Sequence, residues 1–428
     1  MTLDISQVLT KTKGEKVSVQ GWVSSKSSIG GISFLILRDG SGYIQIAGKK
    51  GVASDLSLDK MIKISVESAV RVSGNIREET RAPGGVEISV EEFQTIAKAD
   101  KWPITKSASA SSSFLFDNRH LSIRGRKSSA IIKIRSEIIN SAFSFFTGKG
   151  FYLISAPSLV KNSVEGGSTL FEVDYFGDTA YLSQSAQLYE EAAICSLEKV
   201  FIFQPAFRAE KSKTTKHLTE FWMIEAEVAF QNQEDNLKLQ EDFVSHIIEE
   251  INNKKSNELK ILGRKINNVN TPFPRIKYDE ASELAIKKNI SFEWGEDIPT
   301  KAEKEIAKEF DTPFFITGYP LSARSFYHMT EKTNNKVTLS ADLFAPEGYG
   351  ELLTGGQRIH DYSDLKTRIK ENDLSEEIFK WYLDLRRFGL PYHSGFGVGV
   401  ERLTRWICGV NHIRSTSLFP RTLSRITP

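Results

Sequence analysis

Along the first hundred residues, apolar and polar positions alternate in short runs: VSVQGWVSSK, ISFLILRDGSGYIQIAG, IKISVESAVRVSGNI and VEISVEEFQTIA. A two-residue period sends successive side chains to opposite faces of a strand, and the Gly-rich breaks between the runs read as turns. Several short strands at this spacing predict a small β barrel or sandwich over residues 1–100. Residues 101–125 (KWPITKSASASSSFLFDNRHLSIRG) are rich in Ser and hold no sustained period, which predicts a linker or hinge. From Arg126 to Phe146 the period changes. Ile131, Ile134, Ile138, Ala142 and Phe146 recur three or four apart with Lys and Arg between them, predicting an amphipathic helix ended by Gly148 and Gly150. The stretch DLSEEIFKWYLDLRRFG, residues 373–389, predicts another, with Asp373 as its cap and Glu376 and Glu377 favouring its N-terminal end. Residues 231–312 carry a charged helical pattern with Lys-rich turns. They read as an insertion or as peripheral helices and offer no evident chemistry.

Composition narrows the class. A chain of 428 residues suits two domains or more, and 40% apolar with 26% charged residues is the make-up of a soluble globular protein. The net charge is only +2, so any contact with nucleic acid must come from local patches. Residues 1–63 hold nine Lys/Arg against five Asp/Glu, a modest excess on the β unit. Cys195 and Cys408 belong to no metal-spaced cluster and are expected to be buried thiols in a reducing compartment. The N-terminal stretch has no signal-peptide core, and no apolar run approaches the roughly 20 residues that span a bilayer. The expectation is a cytoplasmic protein with no membrane segment.

Two stretches carry candidate chemistry. FRAEKSKTTKHLTEFWMIEAEVAF, residues 207–230, reads as strand, charged turn and strand, with Glu225 and Glu227 on one face of the second strand. Arg208, Lys216 and His217 near the turn could offer cations to a polyphosphate, although an ordinary surface hairpin has the same pattern. In GFGVGVER, residues 395–402, Gly395, Gly397 and Gly399 fall on one strand face and leave it bare, as though something packs closely there. The adenine and ribose of ATP are the candidate occupant, with Arg402 at the following helix start for phosphate. The glycine spacing differs from the dinucleotide fingerprint.

With Pro157 in GFYLISAPSLV standing as a first motif, FRAE through KHLTEF as a second and GVGVER as a third, the chain resembles the class II aminoacyl-tRNA synthetases of the aspartate, asparagine and lysine subgroup. It is most similar to the compact archaeal asparagine enzymes. The resemblance runs from GWV at 21–23 to the terminal FPRTLSRITP. It implies an α+β protein: an OB-fold β-barrel over 1–100 that binds the anticodon, a hinge over 101–125, and a catalytic domain over 126–428 built on an antiparallel sheet flanked by helices. The barrel pattern GWVSSKSSIGGISFLILRDGSGYIQI implies base stacking by Phe34 and base contacts by Gln45, with Lys26 where an Arg is usual. The first motif implies a homodimer.

The same resemblance implies ATP and Mg2+ as cofactors and assigns the site. Arg208 bridges the α-phosphate and the amino-acid carboxylate, a task for an always-charged fork. Glu210 contacts the adenine end, Phe221 stacks on the ring, Leu218 and Gly399 line the nucleotide, and Arg402 covers the other face or reaches the γ-phosphate. Lys216, where Arg is usual, and His217 touch phosphates. Asp342, Glu351 and Thr354 match the magnesium site, and Arg208, Glu351 and Arg402 carry the catalysis. Glu165, Ser185 and Gln187 are expected around the α-ammonium.

Substrate choice turns on SQSAQLYEE, residues 183–191. Aspartate enzymes place Lys at position 190, and here the residue is Glu190, with Arg358 retained and Glu225 where they carry Asp. An acid at 190 facing the Arg358 donor is expected to take asparagine and to repel aspartate. The expected partners are therefore asparagine, ATP and tRNA(Asn). The alternatives are an aspartyl enzyme, an AMP-forming asparagine synthetase, which lacks the OB domain, and a non-catalytic tRNA-binding paralogue.

Overall fold

The computed structural model describes residues 2–161, 170–211 and 214–428, and the chain divides into two compact units, 1–116 and 117–428. In the first unit, β1 (Lys16–Ile29), β2 (Ile32–Arg38), β3 (Tyr43–Lys49), α1 (Asp55–Lys63), β4 (Ala69–Glu78) and β5 (Val86–Ala97) follow one another. The strands close as β1-β2-β3-β5-β4, with β3 and β5 parallel. Alternation sends Val17, Val19, Leu35, Leu37, Ile44 and Ile46 inward to a dry core, which is why the polar partners in the same strands stay outside. The barrel expectation holds.

Register separates two of the residues assigned to base contact. Lys26 pairs with the buried Leu35, whereas Phe34 pairs with Ser27 and Ala47, and Gln45 pairs with Ile36. Residues opposite one another share a face, so Phe34 and Gln45 lie together and Lys26 lies on the other side. Lys26 Nζ donates to the Ile64 carbonyl at 2.9 Å, and Gln45 Nε2 donates to Glu87 Oε2 at 2.8 Å. Lys26 is thus drawn to the end of α1, away from the Phe34 face.

The stretch expected to be a linker or hinge, 101–125, contains helical structure. Short helices form at Ser112–Asp117 and Arg119–Ser122, and the Arg119 guanidinium donates to the carbonyls of Leu418 and Ser417 at 2.9 and 3.0 Å. An arginine anchored at that end makes residues 117–125 part of the second unit.

That unit is built on eight strands. In chain order its main elements are α2 (Arg126–Gly148), β6 (Tyr152–Leu153), α3 (Gln187–Leu197), β7 (Lys199–Phe207), β8 (Glu220–Ala229), α4 (Gln233–Lys254), β9 (Arg275–Lys277), α5 (Thr300–Ile306), β10 (Phe314–Thr317), β11 (Ser340–Ala345), β12 (Gly350–Gln357), α6 (Lys380–Arg387), β13 (His393–Gly399) and α7 (Val400–Ile407). The sheet runs β9-β10-β11-β12-β13-β8-β7-β6. Its interior is antiparallel, while the two edge pairs, β9 with β10 and β6 with β7, are parallel, so the sheet is mixed rather than purely antiparallel. The apolar stripe of α2 is buried against this sheet at Ile131, Ile134, Ile138, Ala142 and Phe146, as its period requires.

Three further expectations change. Residues 231–312 are structural members of the unit: Phe243, Ile247, Ile248 and Ile251 of α4 enter the main core, and β9 extends the sheet. The helix expected from 373 begins only at Lys380. Asp373 has φ +54°, a left-handed residue that closes the preceding helix (Tyr362–Glu371), where the Leu374 N–H returns to the Ile369 carbonyl. Asp373 therefore ends one helix instead of starting the next. Cys408 is buried as expected, but Cys195 is exposed.

Candidate active site

β7 and β8 pair antiparallel from Lys199 with Val228 to Phe207 with Glu220, so the loop between them hangs at the end of a rigid ladder. Beside β8 runs β13, with Glu225 opposite Gly397 and Glu227 opposite Gly395. A cavity of about 1120 Å³ opens over these strands. Its walls include Ser185, Gln187, Arg208, Glu210, Lys216, His217, Leu218, Phe221, Glu225, Glu351, Thr354, Arg358, Gly399 and Arg402. Most of the residues assigned from sequence to ATP and the amino acid thus meet in one place. Glu165 lies outside the described residues.

At the loop end the cavity is cationic. The Arg208 guanidinium lies 5.4 Å from the centre of the Phe221 ring, within range of a cation–π contact. Arg402 Nη1 bonds Glu351 Oε1, which also accepts the Thr354 hydroxyl at 3.2 Å. Burial would raise the Glu351 carboxyl, but Arg402, Lys216 and Arg324 together outweigh it and hold the group down at about 2. His217 Nδ1 lies 2.7 Å from Thr214 Oγ1; burial, helped by the charge of Arg402, lowers its imidazole to about 4 and keeps it neutral.

Lys216 departs from expectation. Its Nζ lies 2.6 Å from both carboxylate oxygens of Glu303 on α5, and both side chains are buried. It lines the cavity with its charge already matched by Glu303. Asp342 departs in a similar way: it is buried, is not among the described residues lining the cavity, and bonds Arg324. Burial raises its carboxyl to about 6 against the pull of Arg324, and its Oδ1 is a buried oxygen with no hydrogen-bond partner.

At the other end, Glu225 and Arg358 line the cavity together. Glu225 accepts the Ser185 hydroxyl and the Ala186 N–H, each at 2.6 Å, so the turn before α3 is tied to β8. Arg358 meets Glu227 fork to fork, Nε to Oε1 and Nη2 to Oε2, both at 3.2 Å. Here the expectation for Glu190 is corrected. Glu190 is 1% exposed and is not among the described residues lining the cavity, and its Oε1 has no hydrogen-bond partner. Burial first, then the charges of Glu225 and Glu227, raise its carboxyl well above the usual range. Glu190 is buried one helical turn beyond Gln187, close enough for the Arg358 charge to oppose that rise, and the acid that lines the cavity with Arg358 is Glu225.

The bare glycine face also has a different occupant from the one expected. A Cβ at Gly395 would lie 2.0 Å from Glu227 Oε2, and one at Gly397 would lie 2.9 Å from Met223 Cε. Gly395 therefore makes room for the carboxylate that holds Arg358, while only Gly397 and Gly399 reach the cavity wall. Glu303, Arg324, Glu227, Glu191 and His393 were not singled out from sequence as site residues. Only Glu227 carried a signal, its two-residue offset from Glu225.

The comparisons with known proteins agree with this geometry. Residues 111–423 match the family of tRNA synthetases class II (D, K and N), and residues 17–96 match the OB-fold nucleic acid binding domain. The chain is 46% identical over 431 residues to an asparagine–tRNA ligase of Koribacter versatilis, covering 98% of this chain and 97% of the relative. It is 42% identical over 430 residues to that of Thermoplasma acidophilum, covering all of both. Among solved structures it is similar to asparaginyl-tRNA synthetase from Pyrococcus horikoshii complexed with asparaginyl-adenylate, with a TM-score of 0.96, 41% identity and full coverage of both chains.

Proposed function

Since this chain belongs to the class II tRNA synthetases of the D, K and N group, we infer that it is an asparagine–tRNA ligase, activating asparagine with ATP and passing it to tRNA(Asn). The observation that carries the substrate choice is the pair on one cavity wall, Glu225 as acceptor and Arg358 as donor. A carboxamide presents one NH2 and one carbonyl and satisfies both. The carboxylate of aspartate would set a like charge against Glu225, and discrimination then follows from repulsion as well as from fit.

Activation brings one anion to another. The asparagine carboxylate oxygen attacks the α-phosphorus of ATP, the bond to the β-phosphate oxygen breaks, and pyrophosphate leaves with the electron pair. Positioning and charge neutralisation dominate such a step. Arg208 and Arg402, both on the cavity wall, serve it: Arg208 between carboxylate and α-phosphate, Arg402 toward the outer phosphates. Phe221 supplies a ring for adenine, with Glu210 and Leu218 at its edge. In the second step the 3′-hydroxyl of the terminal adenosine attacks the activated carbonyl and AMP departs.

Magnesium suits the residues present. It needs hard oxygen ligands: the Glu351 carboxylate and the Thr354 hydroxyl line the cavity and would provide two, and the buried Asp342, opposite Thr354 in the β11–β12 ladder, stands behind them with its Oδ1 unpartnered. A magnesium ion held by these residues would supply positive charge to offset that of the polyphosphate.

The chain acts as a homodimer in the cytoplasm. The dimer is supported by exposed apolar side chains at Tyr152, Leu153 and Leu159 flanking Pro157, where β6 forms a sheet edge. Pyrophosphate exchange measured side by side with asparagine and aspartate tests the reading. Exchange driven by asparagine alone is expected; a preference for aspartate would overturn it.

A further inference from the structure

Beneath the amino-acid end of the cavity lies a buried charged cluster that the chemistry above does not use. Glu191, on α3, accepts the amide of Gln187 on Oε1 at 3.0 Å. Its Oε2 accepts Arg386 Nη2 at 2.6 Å and the Tyr382 hydroxyl at 2.7 Å, both from α6. His393, the first residue of β13, brings Nε2 to 3.1 Å from the same Oε2, oblique to a full hydrogen bond. Its Nδ1 lies 2.8 Å from the Pro391 carbonyl. The side chains of Glu191, Arg386 and His393 are wholly buried.

The ring of His393 has acceptors on both sides. A carbonyl oxygen cannot donate, so Nδ1 carries a proton. Glu191 stays ionised: burial would raise its carboxyl, but Arg386 and His393 hold it far below the usual range. Glu191, Glu227 and His393 have the grouping of a metal site, yet Arg386 on Glu191 and Arg358 on Glu227 already fill those carboxylates with cations.

The consequence reaches the cavity through Gln187. An amide has one donor end and one acceptor end. With its NH2 committed to Glu191, Gln187 offers its carbonyl oxygen to the cavity that it lines, which is the end an α-ammonium requires. We propose that Glu191 sets the amide orientation of Gln187 for the substrate ammonium, and that His393, with Arg386 and Tyr382, is a positioning residue that keeps Glu191 in place. The groups facing His393 are Glu191 from α3, Tyr382 and Arg386 from α6, Glu227 from β8, and Arg358 and His360 from the segment after β12. The inference rests on the reading of this cavity as an asparagine site.

Two measurements test it. In asparagine-dependent exchange, Glu191→Gln, which removes the carboxylate that takes the Gln187 amide, should raise KM for asparagine about tenfold; an unchanged KM would overturn the proposal without touching the function. In asparagine-dependent exchange, His393→Asn should raise KM for asparagine about tenfold while kcat and KM for ATP stay within about twofold, tenfold being about 1.4 kcal/mol. An unchanged KM for asparagine, or equal losses for both substrates, also overturns it. If the wild-type chain shows no asparagine-dependent exchange, the functional reading fails; exchange in the wild type with an unchanged asparagine KM in both variants sinks this inference alone.

Discussion

Lys216 Nζ stands 2.6 Å from each carboxylate oxygen of Glu303, tying the loop between β7 and β8 to helix α5. Nothing in the local pattern of either stretch announces this pair, of which only Lys216 lines the cavity. Breaking one side of a buried ion pair strands the other charge, at about 3–5 kcal/mol. Glu303→Gln and Lys216→Met should each lower the unfolding transition of the catalytic unit. The double variant should recover part of the loss, with a coupling of about 0.5–3 kcal/mol. Strict additivity in thermal melts of the four proteins would show that the pair is not coupled.

Gly395→Ala should disable substrate choice without touching the nucleotide. A Cβ there would sit 2.0 Å from Glu227 Oε2 and 2.3 Å from the Ala226 carbonyl oxygen, so the carboxylate must move, the β8–β13 ladder must give beside it, and Arg358 loses its fork. KM for asparagine is expected to rise at least about tenfold, roughly 1.4 kcal/mol, with KM for ATP little changed. Steady-state exchange kinetics decide it, and an unaltered asparagine KM would disconnect Gly395 from Arg358.

The pH dependence of stability has a definite sign. His217 titrates at about 4 in the fold against an ordinary 6.5, so between those values the unfolded chain binds the extra proton. Stability from this group is complete above about 6.5 and is lost as pH falls toward 4. Glu351, held at about 2 against 4.5, adds a second loss, beginning below about 4.5 and running down to about 2. Denaturation midpoints from pH 7 to 4 should fall in the wild type and fall less in His217→Gln; parallel curves would contradict the His217 assignment.

On the barrel, Phe34 and Lys26 should part company. Phe34 lies on the face with Gln45, while Lys26 pairs with Leu35 and bonds the Ile64 carbonyl. Losing one stacked base costs about 1–3 kcal/mol, so Phe34→Ala should lower kcat/KM for tRNA charging by about that amount and leave pyrophosphate exchange intact. Lys26→Ala should lower charging far less. Equal losses in the two variants would argue against the division of faces.

Much of this protein was legible in one dimension. The period of two at the barrel strands, the period of three and four at Ile131 to Phe146, and the three ordered motifs are local patterns, and local patterns determine which residues share a face. The family resemblance that the motifs carry put Arg208, Phe221, Glu351 and Arg402 in one site, and the structure brings those four to one cavity. Pairing across distant segments was decided only in three dimensions. Whether Arg358 answers Glu190 or Glu227 depends on which face of α3 the floor of the cavity covers, and on the room that Gly395 leaves in a neighbouring strand. Buried charges take whichever counter-charge the packed fold sets within reach, and that distance is not written along the chain.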